Sequence, residues 1–261
     1  MSPRTAFEGT VLRREVLSDH LIRLELGGPG LAGFTSTGVP DEWVALTVPG
    51  QFQTRYYTVR SWDSSTLVLD VVMHEEGLVT EWAQTSSEGQ TVGISLPRGS
   101  FTLPDNAEWL VLVGDLTALP AVGRITETVF DIPVTAYVEA PDAPLAGYLP
   151  IDVTWLRPPA AGRSALAEVV RGIDWPAGPG YFWMAGESAQ MRDIRRHVRH
   201  DVGMDARAYD VMGYWSGSRG RQTRAVDPGP IYARGKAMGK TDEQIWADYD
   251  AARDGAKHDP S

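Results

Sequence analysis

Near residue 105 the hydrophobic rhythm of the chain changes, and a fold in two parts accommodates that change. Six short segments precede it: FEGTVLRREVL, HLIRLELGG, EWVALTV, TRYYTVRSW, TLVLDVVMH and QTVGISLPRG, between residues 7 and 99. They are rich in β-branched and aromatic residues, and Gly, Pro, Asp and Ser clusters separate most of them, which predicts antiparallel strands. That number at that spacing suggests a small closed barrel, interrupted by one helix at GLVTEWAQ, residues 77–84. After Pro104 a continuous apolar run, WLVLVGD (109–115), is followed by the helical LTALPAVGRITETV. IPVTAYVEA (132–140), IDVTWLR (151–157), YFWMAGE (181–187) and ARAYDVMGYW (206–215) then alternate with helical stretches. Such alternation predicts a doubly wound parallel sheet. The expected class is β followed by α/β: a six-stranded antiparallel barrel over 1–105, an α/β domain over 106–220 and a C-terminal tail over 221–261. The tail ends in a predicted helix, TDEQIWADYDAARDG, where Thr241 caps and Gln244 completes a capping box.

Composition narrows the function classes. The net charge of −10 disfavours nucleic-acid binding, and no cysteine is present to hold an iron–sulfur cluster, a zinc ion or a thiol nucleophile. The five histidines are scattered, none in an HExxH spacing, so no protein-bound metal is expected. There is no G-x-S-x-G elbow for a serine hydrolase. The start MSPRTAFEG has no apolar core and no run approaches 18 apolar residues, so the expectation is a cytoplasmic protein without membrane insertion.

Four stretches can carry chemistry. In RYYTVR, alternation sends Arg55 and Tyr57 to one face of a strand, with Tyr56 and Thr58 on the other. An Arg can fork onto phosphate, a Tyr ring can lie against a flat aromatic ligand, and hydroxyls can bond its edge. A flavin dinucleotide needs all three kinds of contact, although an ordinary barrel strand could also contain these residues. In HEEGLVTEW, Gly77 allows close backbone approach, the N–H groups at the helix start suit a pyrophosphate, and Thr80 adds a hydroxyl. GDLTALPAVG lies where the first parallel strand turns into its helix, the dinucleotide position of an open α/β sheet, but without a GxGxxG. Asp115 and Thr117 can offer polar contacts there, and Pro120 suits a first helical turn. MAGESAQM, with Gly186, is a second such turn, and any αβ unit needs one. The stretch RDIRRHVRH is read as a solvent-facing helix with Met191, Ile194 and Val198 buried.

Taken in order, RYYT, H-x-x-G-x-x-T-x-W, LPRGSF, GDLTALPAVGRI, YFWMAGE and GYW resemble the siderophore-interacting proteins, over roughly residues 7 to 220. These are FAD-dependent ferric-siderophore reductases of the ferredoxin-reductase superfamily. The resemblance implies a flavin-binding barrel followed by a nicotinamide-nucleotide domain. It implies that Arg55 holds the flavin phosphates, while Tyr57 and Thr58 serve the isoalloxazine and ribityl region, with Tyr56 also among the FAD-binding residues. Backbone groups of Val72, Met73 and His74 would meet the pyrimidine edge, and Gly77, Leu78, Val79 and Thr80 would cap the pyrophosphate. Asp115, Leu116, Thr117 and Ala118, with Ala185, Gly186 and Glu187, would form the NAD(P)H cleft. The family commonly has an acidic residue where this chain has Leu116, and Gly where it has Leu96.

The implied reaction needs no protein acid or base, because a nicotinamide gives a hydride, ferric iron takes one electron, and a flavin can do both. The expected partners are a ferric siderophore and NADH or NADPH, with the chain a monomer. Glu139 ends the second parallel strand, where an acid accepts ribose hydroxyls and repels a 2′-phosphate, whereas Arg157 at the end of the third could do the reverse. Arg219, Arg221 and Arg224, with Arg234, Lys236 and Lys240 further on, are the available positive charge for an anionic siderophore. A general flavin reductase, a ferredoxin-dependent reductase and a non-catalytic flavoprotein or siderophore carrier stay open as alternatives.

Two separate phosphate contacts, Arg55 and the 77–80 turn, predict that the protein carries FAD. Heat release followed by chromatography should give FAD, and a clean FMN peak would contradict this. Arg55→Ala should weaken flavin retention about ten- to a hundredfold, the loss of one charge-assisted contact, measured by flavin titration.

Overall fold

The computed structural model describes residues 5–49, 55–73, 78–85, 88–141, 147–160 and 163–215, with residues 234, 238 and 240 singly. By internal contacts the chain forms two units, Met1–Pro49 with Gln53–Gly217 and Gly50–Phe52 with Ser218–Ser261. In the second, the Met238 N–H donates to the Arg234 carbonyl at 3.0 Å. The helix expected at 241–255, and the candidates His74, Gly77, Arg219, Arg221, Arg224 and Lys236, lie outside the described residues.

In the first unit, β1 (Phe7–Ser18), β2 (Leu21–Gly27), β3 (Trp43–Thr47), β4 (Arg55–Trp62), β5 (Leu67–Val72) and β6 (Thr91–Ile94) close into an antiparallel barrel. Its order is β1-β2-β5-β4-β3-β6, and β6 returns to pair with β1. Register shifts at Val11/Arg13 and Val16/Ser18 in β1 give the extra twist that closure requires. Inward residues fill the barrel, among them Leu24, Leu26, Val44, Leu46, Val59 and Leu69. Helix α1 (Leu78–Thr85) adds Val79, Trp82 and Ala83 to the same core.

The second half is a five-stranded sheet, β7 (Leu110–Asp115), β8 (Val134–Glu139), β9 (Val153–Leu156), β10 (Tyr181–Glu187) and β11 (Tyr209–Trp215). All four pairings are parallel, in the order β11-β10-β7-β8-β9. The order reverses between β7 and β10, which is the topological switch point of such a sheet. The apolar run of β7 serves two cores. Leu110 and Leu112 pack with α2 (Leu119–Thr128) on one face, while Val111 and Val113 join Leu166 of α3 (Leu166–Arg171) and Met191 and Ile194 of α4 (Met191–Arg196) on the other. Two-sided burial is why this strand shows no alternation in sequence. Helix α2 begins at Leu119, three residues later than the pattern predicts at Leu116, because Asp115 first organises a turn. After α4 the backbone widens into a π-turn over His197–Asp201, with Val198 buried as expected. No helix among the described residues is long and apolar enough to cross a membrane.

Barrel and sheet share an apolar core, in which Leu21 and Val72 of the barrel pack with Phe101 and α2. A polar network borders it. The Arg23 guanidinium forks onto the buried Asp70 carboxylate with two 2.8 Å bonds, and the Tyr148 hydroxyl donates to Asp70 at 2.5 Å. Arg60 of β4 lies over the Tyr148 ring, 5.3 Å from its centroid, and pairs with Glu127 of α2 at 2.8 and 2.5 Å. Removing one member of a buried pair strands the other charge. Arg23→Met should therefore destabilise the fold by about 3–5 kcal/mol. Tyr148→Phe, which removes one hydrogen bond to a charged group, should cost about 1.5–3 kcal/mol. Denaturant unfolding tests both magnitudes and their order; equal effects would mean that the network does not rest on Asp70.

Candidate functional site

Strand β4 enters the barrel wall with Arg55 opposite Leu46 and Tyr57 opposite Val44, so both lie on the inward register. Tyr57 packs against the barrel core, and burial raises its phenol pKa against the opposing charge of Arg55. Arg55, at the strand's first residue, is exposed. Tyr56 and Thr58 take the outward register. Tyr56 is 60% exposed, whereas Thr58 is buried and its Oγ1 has no hydrogen-bond partner. At the far end of β5, Val72 packs towards the sheet and Met73 into the barrel. On α1, Val79 is buried in the barrel and Thr80 is buried beside it.

The other candidates gather on the C-terminal edge of the parallel sheet. Register sets Asp115 beside Glu139, and the β7–β10 pairing brings Glu187 to the same edge. Asp115 Oδ1 accepts from Thr117 N–H at 2.9 Å and from the Thr117 hydroxyl at 2.5 Å, while Oδ2 accepts from Trp215 Nε1–H at 2.5 Å. Even with these donors, burial raises the Asp115 pKa. Glu139 accepts from the Ala165 N–H at 2.8 Å, and Glu187 from Gln190 Nε2–H at 2.9 Å. Gln190 also accepts from the Ala167 N–H at 2.8 Å and donates to the Ser164 carbonyl at 2.9 Å, lacing the start of α3 over this edge. Gly186 has a local reason: a Cβ there would lie 2.9 Å from Asp115 Oδ2 and 3.2 Å from Leu166 Cδ1. Ala118 and Ala185 are fully buried, and Leu116 is half-buried against the sheet core. Among the described residues no group of three His, Cys, Asp or Glu is arranged to hold a metal ion.

Two family models match in succession: the siderophore-interacting FAD-binding domain over residues 50–101 and the siderophore-interacting protein model over 107–218. The chain belongs to the siderophore-interacting protein family. It is 28% identical over 238 residues to the mycobactin import ATP-binding/permease protein IrtA of Mycobacterium tuberculosis, covering 84% of this chain and 27% of that relative. The chain thus spans about a quarter of that relative's length. It is 26% identical over 240 residues to the NADPH-dependent ferric-chelate reductase of Escherichia coli, covering 80% of this chain and 92% of the relative. Its fold superposes on the siderophore utilization protein from T. fusca with a TM-score of 0.69 at 27% identity, covering 84% of this chain and 94% of the other.

Against this family background, four participants escaped the sequence reading. Trp215 supplies the donor to Asp115, Gln190 joins α3 to Glu187, Asp41 accepts from Trp183 Nε1–H at 3.2 Å, and Tyr214 presents a buried hydroxyl without a partner. The available signal was general: a buried indole or phenol needs a polar partner, but its identity depends on tertiary structure.

The edge carboxylates also set a pH dependence. Burial raises the Glu139 pKa above its usual 4.5, opposed by the Ala165 and Ser164 donors and reinforced by the charges of Asp115 and Glu187. The folded state thus binds this proton more tightly than the unfolded chain. The corresponding stabilisation is present in acid, and it is lost as pH rises from about 4.5 through the folded value. Glu139→Gln keeps an oxygen for Ala165 and removes the charge. It should be more stable than the parent at neutral pH, with the advantage vanishing towards pH 4.5. Denaturant unfolding across that range checks this, and a pH-independent difference would assign the effect to another group.

Proposed function

We propose that this chain is an FAD-dependent ferric-siderophore reductase, passing electrons from NAD(P)H to a ferric siderophore and releasing ferrous iron in the cytoplasm. The observation that carries the flavin part is Thr58: a buried hydroxyl without a partner, in the strand that also presents the exposed Arg55 cation and the exposed Tyr56 ring. Charge for phosphate, a ring for a flat ligand and a free hydroxyl for its edge fit the cofactor. In this reading Arg55 and the start of α1, Leu78 to Thr80, hold the phosphates. Tyr56 and Thr58, on the outward register, face the ring system and Tyr57 borders it from the barrel side, with backbone groups of Val72 and Met73 beside it. Bound flavin supplies the exchange between a two-electron donor and a one-electron acceptor.

The sheet edge is the proposed nucleotide side, with Asp115 to Ala118, Glu139 and Ala185 to Glu187 around it. Its turns use their own donors, since Thr117 N–H bonds the Asp115 carboxylate and Ala118 N–H bonds the Asp115 carbonyl at 2.9 Å. The Cβ position of Gly186 is filled by Asp115 and Leu166. These residues therefore offer no ready cradle for a pyrophosphate, and the phosphates are assigned to none of them. Glu139, expected to repel a 2′-phosphate, is engaged by Ala165, and the Escherichia coli relative is named for NADPH. Both points favour NADPH as the donor.

Anaerobic stopped-flow mixing tests the whole reading. NADPH should bleach the flavin faster than NADH, and a ferric hydroxamate or catecholate complex should then restore the colour. A protein that binds FAD but is bleached by neither nucleotide would be a carrier or would take electrons from another donor.

A further inference from the structure

Trp215, the last residue of β11, joins the two turns that flank the switch point between β7 and β10. Its indole N–H donates to Asp115 Oδ2 at 2.5 Å, and the other carboxylate oxygen holds the Thr117 N–H and hydroxyl in the β7–α2 turn. Its backbone carbonyl accepts from the Ser188 N–H at 2.7 Å, in the β10–α4 turn. Side chain and main chain of one residue thus fasten both turns.

Two glycines make room for this arrangement. Strand β10 lies between β7 and β11, so Asp115 reaches Trp215 by crossing it, and the crossing point is Gly186. A Cβ there would lie 2.9 Å from the same Oδ2. Gly213 is the register partner of Gly186, and a Cβ on it would lie 2.9 Å from Ser188 Cβ and 3.1 Å from Ser188 Cα. Neither glycine has a positive φ, so the arrangement uses their small size and not their conformational freedom. After this pair the register slips, leaving Tyr214 unmatched and setting Trp215 beside Glu187. Such an irregularity at a sheet rim re-aims a side chain. A plain parallel sheet needs neither the glycine pair nor the slip.

In an open α/β sheet a dinucleotide lies outside these strand ends, in the crevice at the switch point. We propose that Trp215 is a positioning residue for the nicotinamide donor: by fastening the β7–α2 turn to the β10–α4 turn, it sets the width of the crevice that the nucleotide enters. This rests on reading the sheet edge as the nucleotide side. The indole bonds a carboxylate, which makes a strong hydrogen bond, so the clamp stands preformed before a ligand arrives.

Two substitutions break the clamp from opposite sides. Trp215→Phe keeps a ring and loses the N–H, whereas Gly186→Ala displaces Asp115 Oδ2 and leaves the indole in place; its Cβ also meets Leu166 Cδ1 at 3.2 Å. Each should weaken calorimetric binding of NADP+ or NAD+, and raise KM for the reduced nucleotide, about three- to tenfold, the worth of one hydrogen bond. FAD retention and re-oxidation of the reduced flavin by a ferric complex should stay at parent values, because no barrel residue is changed. The double variant should lose no more than the larger single loss, since both substitutions break the same bond. Parent-like nucleotide binding and KM in Trp215→Phe would overturn the assignment. So would fully additive losses, which would separate Gly186 from the clamp. Loss of FAD, equal slowing of both half-reactions or failure of Trp215→Phe to fold would also overturn it, because the bond would then serve the scaffold. If the parent binds neither nucleotide, the reading of the sheet edge fails and the inference with it. A parent that binds one of them beside an indifferent Trp215→Phe sinks the inference alone.

Discussion

Asp41 holds the barrel against the sheet. Its carboxylate is fully buried and accepts from the Ser100 and Phe101 N–H groups at 2.8 and 3.0 Å, the Ser100 hydroxyl at 2.9 Å and Trp183 Nε1–H at 3.2 Å. A buried charge survives only when donors surround it, and these come from the connection between the halves and from strand β10. Glu42, the next residue, is equally buried. It accepts from Ser36 and Thr37 on the barrel side and from Arg124 of α2 at 3.4 Å. Arg124 also donates to the Val59 carbonyl at 2.7 Å, tying α2 to the strand that carries Thr58. Two adjacent acids thus tie the barrel, and through Arg124 the strand that carries Thr58, to β10 and α2.

Most of the fold was legible because its strands follow local patterns. The barrel segments alternate or carry β-branched residues, and observed β4, Arg55–Trp62, lies within the expected TRYYTVRSW. The apolar run before Asp115 signalled a strand covered on both faces, and the structure divides its residues between two cores. The start of α2 was misplaced because the Asp115 side chain competes for the turn's N–H groups, a local alternative that periodicity does not register. Nothing in the sequence linked Arg23, Asp70 and Tyr148. Their meeting depends on Tyr148, far along the chain, lying against the barrel, which spacing along the chain does not encode.

The site was legible by residue type more than by role. Asp115, Glu139, Gly186 and Glu187 do gather at the switch-point edge, where strand ends were expected to bring them. Their observed partners, however, are internal. Gly186 is small because Asp115 and Leu166 occupy the space beside it, a packing reason that looks the same in sequence as close approach of a ligand. In the same way, a carboxylate at a strand end could accept a ribose hydroxyl or, as Glu139 does, the N–H of Ala165. Sequence alone cannot separate those uses, because both require the same residue at the same position.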